Sequence, residues 1–433
     1  MTVLCLFLLA STLAACSNDA AEDRDEYAGL KFLLIDDEYC VMGFKSEYDN
    51  TPNVVIPGNY KGYPVTQING SAFSSCAELV SVYIPNSVSS IGPYAFKGCA
   101  SLAEIRLSNS ITDIGRNAFE SCSSLTSFSI PSSITTIKDE TFRNCKSLTS
   151  VDLPSSIEHI NAGAFLNCTS LISIELPDSV SLVKEKAFMN CFSLVSAVVG
   201  SNVFTIETDA FKNCPKLVEI KNNSWFLNIR AGETDNGSIG YYAKHIYDIG
   251  ESQLTERDGF IFYHDDDESL LLGYCGKQTD LTLPDGFTAY NGDVVTEYDV
   301  FNYAFLGQKS LCSVTFDGAA TSIGNFAFAL CRALRSVVIG APVARIGFGA
   351  FAACNSLTSL TVGKSVTDIA IAAFLNSLSL DSVKFEDAEG WQISKTKDFA
   401  EYVSLESAEL NDPQTAANYI KLDYFERYWR KVK

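Results

Sequence analysis

Apolar and polar positions along this chain recur at a constant step, and Phe sets the phase, usually preceded by Ala. It stands at Phe73, Phe96, Phe119, Phe142, Phe165, Phe188 and Phe211, then at Phe305, Phe328, Phe351 and Phe374. With each Phe counted as position 0, position +3 is Cys in nine of the eleven copies, and Gln308 and Ser377 break the column. Position +6 is Leu in all eleven. Positions +9 and +11 are apolar, as in Val82/Ile84 and Leu360/Val362, and +12 is often Pro. Positions +15 and +18 are aliphatic again, as in Val88/Ile91.

The apolar +9/+11 pair alternates with polar residues, the period-2 pattern of a strand with one buried face. Pro at +12 has no N–H to give a ladder, so it ends that strand. The +15/+18 pair predicts a second short extended segment, and the Ala-Phe-x-x-Cys stretch predicts one helical turn. Asn or Gly often stands at +2 (Asn144, Asn167, Asn190, Asn213, Gly98, Gly307), where a left-handed residue would close that turn. A single 23-residue unit cannot bury its own apolar face. The copies must therefore stack into a solenoid of short parallel strands with a continuous Phe spine inside. Equivalent Cys side chains in stacked coils point the same way, which suits buried thiols better than disulfides.

The spacing from Phe211 to Phe305 is far longer than one step. The excess resembles the N-terminal segment. Leu30 to Phe44, turning at Asp36-Asp37-Glu38, and Phe260 to Tyr274, turning at Asp265 to Glu268, both read as hairpins. The acidic run at Asp265 lacks the ligand spacing of a calcium loop and reads as a solvated tip. At the C-terminus, Asp412-Pro413 reads as a helix cap, and Tyr419, Leu422, Phe425 and Trp429 follow at helical spacing. The expected organisation is a signal peptide over 1–15, a lipid-anchored tether over 16–28 and a hairpin cap over 29–67. A first repeat block covers 68–221, an insert with a hairpin 222–300, a second block 301–385 and a C-terminal helix cap 386–433.

Composition narrows the function. With 32 Lys plus Arg against 52 Asp plus Glu, the formal charge is -20, which argues against a nucleic-acid partner. Only three His occur (His159, His245, His264), and no nucleophile, phosphate-loop or metal motif is present. No enzyme, cofactor or metal site is expected. Val3 to Ala15 is apolar but too short for a mature membrane span. It ends in Leu13-Ala14-Ala15-Cys16, which resembles the lipobox of bacterial lipoproteins, although no Lys or Arg precedes the apolar run. That resemblance implies cleavage before Cys16 and a lipid on its sulfur. The chain would then be secreted, touching the membrane only through that anchor, and exposed at the cell envelope.

The motif Ala-Phe-x-x-Cys-x-x-Leu-x-x-[Ile/Val]-x-[Ile/Leu]-Pro-x-Ser-[Ile/Val]-x-x-Ile resembles the BspA-type leucine-rich repeat. The segments Asp258-Gly259-Phe260-Ile261-Phe262-Tyr263 and Glu389-Gly390-Trp391 also resemble parts of gut-bacterial members. The resemblance implies a leucine-rich-repeat solenoid on the cell surface, with an extracellular protein or another cell-surface ligand as partner. Position +10, between the two buried strand positions, is where such a scaffold would vary. It reads Tyr83, Arg106, Ser129, Asp152, Glu175, Val198 and Lys221, then Thr315, Val338, Thr361 and Lys384. This column is one candidate binding face. The alternative is a glycan, stacked on Trp225, Tyr241, Tyr242 and Tyr247 of the insert.

Overall fold

A computed structural model describes residues 29–45, 51–340 and 342–432. The expected signal peptide and the expected lipid anchor at Cys16 fall outside the described residues. Each coil contributes two strands. The first spans positions +8 to +10, as in Ser81–Tyr83, Ser150–Asp152 and Ser173–Glu175, with +9 buried and its neighbours outward. The second covers +17 and +18, as in Ser90–Ile91 and His159–Ile160. Successive coils pair in parallel, so Ser196 meets Glu219 and Leu182 meets Thr205, each one repeat further along the chain, and the register shifts only beside the two hairpin units, at Tyr39/Cys40 and Tyr298/Asp299 among the described residues.

The corner around each Phe is hydrogen-bonded in a way the sequence does not announce. Residues -1, +1 and +3 close turns within their own coil, as in Ala95 N to Gly92 O, Lys97 N to Tyr94 O and Cys99 N to Phe96 O. Residues -2, 0 and +2 donate instead to the next coil: Tyr94 N to Arg116 O, Phe96 N to Ala118 O and Gly98 N to Glu120 O, at 2.7 to 3.0 Å. This alternation needs positive φ at both -2 and +2. The second was expected at Asn and Gly; the first falls on residues as varied as Tyr94 (60°), Glu140 (53°) and Lys186 (57°). The expected helical turn is therefore a row of tight turns that doubles as a third ladder. It satisfies backbone groups that would otherwise be buried unpaired.

Inside that corner the Phe rings stack face to face. Phe96 to Phe119 is 5.5 Å between centroids, Phe142 to Phe165 is 5.2 Å, and Phe328 to Phe351 is 5.2 Å. The Cys column has a specific task. Each buried thiol donates to a Phe carbonyl of the preceding coil, as Cys145 does to Phe119 (3.1 Å) and Cys354 to Phe328 (3.1 Å). Ser377, one of the two departures, does the same to Phe351 at 2.8 Å. The described cysteines are all free thiols. Burial pushes the Cys145 thiol up to about 12. Alkylation of the native protein should accordingly label exposed Cys275 while Cys145 and Cys354 react only on unfolding. Peptide mapping after labelling reads the difference, and labelling of Cys145 in the native state would contradict the thiol ladder.

The chain holds two large cores, one from Leu30 to Ala243 and one from Phe260 to Trp429. The hairpin Leu30–Ile35/Glu38–Phe44 lies at the start of the first, and Phe260–His264/Ser269–Tyr274 at the start of the second. Each hairpin joins a parallel ladder through its second strand. A third, small cluster joins the blocks: Val195 and Val218 of the first pack with Tyr263, Leu270 and Leu272 of the second hairpin.

The C-terminus departs from expectation. Asp412 caps the helix Pro413–Asn418 by accepting from Thr415 N at 2.8 Å, and Tyr419–Asp423 continues it as a π-helical turn. Trp429, however, lies on the strand Tyr428–Lys431, antiparallel to Asp368–Ile369 and to Trp391–Ser394. The last coil would otherwise leave an open sheet edge, and a strand closes it where a helix would not. Trp429 and Trp391 then cover the end of the core beside Phe385. Arg430 and Lys431, on the same strand, meet Asp368 and Asp387.

Candidate interaction face

The strand at +8 to +10 points its +9 side chain inward and leaves +10 outward. In the first block Tyr83, Arg106, Ser129, Asp152 and Glu175 are exposed, and Val198 and Lys221 are half-buried. The register lines them up: Tyr83 opposite Arg106, Ser129 opposite Asp152, Glu175 opposite Val198, Val198 opposite Lys221. The structure extends the row at both ends. Val55, 57% exposed, lies opposite Tyr83, and Tyr247 of the insert lies opposite Lys221. In the second block Thr315, Val338, Thr361 and Lys384 form a matching row. Neighbouring strands in such a ladder are about 4.8 Å apart, and in the first block three ladders carry the stripe of unlike side chains, with pairing interrupted between Arg106 and Ser129 and between Asp152 and Glu175. Few internal contacts tie it down: Arg106 pairs with Glu104 at 2.6 Å, and Ser129 reaches Asp152 at 3.4 Å.

Among the four aromatic candidates, the ring contact within the described residues is the one between Tyr241 and Tyr242. Tyr241 and Tyr242 meet edge to face at 4.7 Å, and Tyr247 stacks on His245 at 4.7 Å. Trp225 is 83% exposed and, among the described residues, touches no other ring. Its neighbour Phe226 lies 6.4 Å from Phe204, and both are exposed. The His159 ring hydrogen-bonds Ser181 at 3.3 Å. At the Asp265 tip, the carboxylate accepts from its own loop, Asp267 N at 3.0 Å and Glu268 N at 2.8 Å. No cluster among the described residues could hold a metal ion.

A charged groove on the turn corner was missed. It has a volume of about 380 Å3 and runs across columns -3, -2 and +1. Lys97 pairs with Glu120 at 2.9 Å, Asn117 bridges Glu120 and Glu140 at 2.9 Å each, and Arg143 grips Glu140 through both oxygens. Burial pushes the Glu140 carboxyl up, but the bonds from Arg143 and Asn117 outweigh it and hold it below the usual carboxylate range. The signal was readable: column +1 runs Lys97, Glu120, Arg143, alternating in sign at each step. Glu120 and Glu140 both have their partners within the protein, so the groove stitches coils together.

The BspA type leucine rich repeat region matches residues 46–165, 136–236 and 296–423, in six copies. No curated protein matches the chain. Among solved structures, a leucine rich cell surface protein from Faecalibacterium prausnitzii is 24% identical, over 88% of this chain and 97% of its own, with a TM-score of 0.41. A T. pallidum leucine rich repeat protein is 28% identical over 45% of this chain and 79% of its own, with a TM-score of 0.33. A leucine-rich repeat protein from Bacteroides ovatus is 20% identical over 82% and 87%, with a TM-score of 0.36. With its matched repeats spanning well over half of its length, the chain belongs to the BspA-type leucine-rich repeat family.

Proposed function

We propose that this chain is a non-catalytic recognition protein of the cell surface. It binds another protein, a host matrix component or a surface protein of a neighbouring cell, through the +10 row. The observation that carries the reading is the contrast within one strand: +9 stays apolar and turned inward, while +10 changes from coil to coil and faces outward. A scaffold that repeats and a stripe that does not is suited to reading a large, irregular partner. Family membership supports a protein-interaction role. Anchoring through Cys16 belongs to the same proposal. Among the described residues no helix is long and apolar enough to cross a membrane.

The test is a binding panel of matrix proteins and neighbouring-cell surface extracts against the wild type and a variant with Tyr83, Arg106, Asp152 and Glu175 all changed to Ser. Binding should fall at least roughly tenfold, the effect of losing one or two interface anchors, with an unchanged melting temperature. Undiminished binding would place the partner elsewhere. The exposure of Trp225 and Phe226 favours glycan capture as a second reading. A glycan-array signal lost on Trp225→Ala, without any protein partner, would favour it over the first.

A further inference from the structure

The seam between the two blocks carries a site of its own. The turn corner of the second block's first coil faces positions +4 to +7 of the first block. Two adjoining hollows lie there, of about 350 and 140 Å3, sharing Ser170, Ser193 and Gln308 in their walls. The larger is bordered by Lys146 and Lys309, by hydroxyl side chains, and by the apolar faces of Phe192 and Leu330. The smaller has Lys216 in its wall. No Asp or Glu lines either one. In a chain of formal charge -20, three lysines gathered without a carboxylate reverse the local sign.

Two of the wall residues are departures from the repeat. Column +5 is Ser in eight of the eleven copies and becomes Lys at Lys216; column +3 is Cys in nine and becomes Gln at Gln308. Gln308 donates across the seam to Tyr274 O at 3.1 Å. Lys216, only 5% exposed, donates to Ala304 O at 2.9 Å and forms no ion pair among the described residues. An ammonium carries three donors, so the protein supplies an acceptor for one. Gly273 keeps room beside it: a Cβ there would stand 3.1 Å from the Lys216 nitrogen. A buried cation without a counter-ion is costly unless something else supplies one.

We propose that this seam binds an acidic saccharide, whose carboxylate is the counter-ion for Lys216, with Lys146 and Lys309 holding the ligand at the rim. The hydroxyls of Ser170 and Ser193 and the Gln308 amide suit sugar hydroxyls, and Phe192 and Leu330 suit the apolar face of a pyranose ring. Burial holds the free Lys216 ammonium down at about 7. A bound carboxylate favours the charged form, so binding takes up a proton and weakens as pH rises above neutrality. Tyr274 and Cys275 are the other titratable groups lining that hollow. Burial pushes the Cys275 thiol up.

Calorimetric titration of the full chain with a galacturonate trimer and with the neutral galactose trimer tests this. The acidic trimer should bind, the neutral one should not, and affinity should fall between pH 6 and 9. Lys216→Met should weaken binding by roughly a hundredfold, and Lys146→Ser with Lys309→Ser, exposed and safe for folding, by at least roughly tenfold, as lost charge-assisted bonds do. Trp225→Ala should change nothing, which separates this site from the glycan reading of the insert. Equal binding of both trimers, no binding of the acidic one, or full affinity in the Lys146/Lys309 variant would overturn the proposal.

Discussion

Phe142→Ala should destabilise the first block by about 3–5 kcal/mol, the cost of truncating a buried Phe and leaving a cavity. Phe142 is fully buried and touches three rings: Phe119 at 5.6 Å, Phe165 at 5.2 Å and Phe128 at 4.7 Å. No side chain in a neighbouring coil can swing in, because each already fills its own place in the spine. The loss should also be local. A coil touches mainly the coils before and after it, so the array's stability is close to a sum of nearest-neighbour terms. Native-state hydrogen exchange should show faster exchange from about Phe119 to Phe165 while the second block keeps wild-type protection. Phe374→Ala should be milder, since among the described residues of the spine Phe374 stacks on Phe351 alone. Uniform loss of protection through both blocks would mean a single cooperative unit.

Lys216→Met should stabilise the ligand-free protein, and the gain should depend on pH. Burial lowers this ammonium from 10.5 to about 7 in the folded chain. The unfolded chain therefore holds a proton between those values that the folded chain has lost, so wild-type stability is lowest below about pH 7, rises with pH across the window, and levels off above about 10.5. Below pH 7 both states are protonated and the folded chain carries an unpaired buried charge. The full difference corresponds to about 5 kcal/mol. The variant should lose this slope between pH 7 and 10 and gain most at neutral pH and below. Urea titrations at several pH values read it directly, and a variant that keeps the wild-type slope would mean Lys216 is not its source.

The periodic features were legible because they repeat. Eleven copies of Phe and Leu placed the spine, and nine of Cys marked a buried column, although only the coordinates reveal the thiol bond to the Phe carbonyl. The turn corner was half-legible. Asn and Gly at +2 announce positive φ, whereas Tyr94, Glu140 and Lys186 at -2 announce nothing, because the inter-coil bonds impose that conformation. Trp429 was misplaced for a related reason. Helical spacing is a local signal, and the open edge at Ile369 that draws the strand to it lies far upstream in the chain. Alternation places the +10 row outward from Tyr83 to Glu175, with Val198 and Lys221 half-buried, but Val55 and Tyr247 belong to irregular segments with no period to mark them. The seam was hidden for the same cause. Lys216 and Gln308 are visible as breaks in their columns, yet only folding brings them to the same hollow.

If the +10 row does the recognising, a partner must shield it. Hydrogen exchange of the protein alone and in complex with the matrix or surface protein selected by the binding panel tests this most directly. Added protection should fall on the strands that carry the row, Ser81–Tyr83 through Glu219–Asn222, with the turn corner unchanged. Protection confined to the corner around Glu120 and Arg143, or to the insert around Trp225, would contradict it.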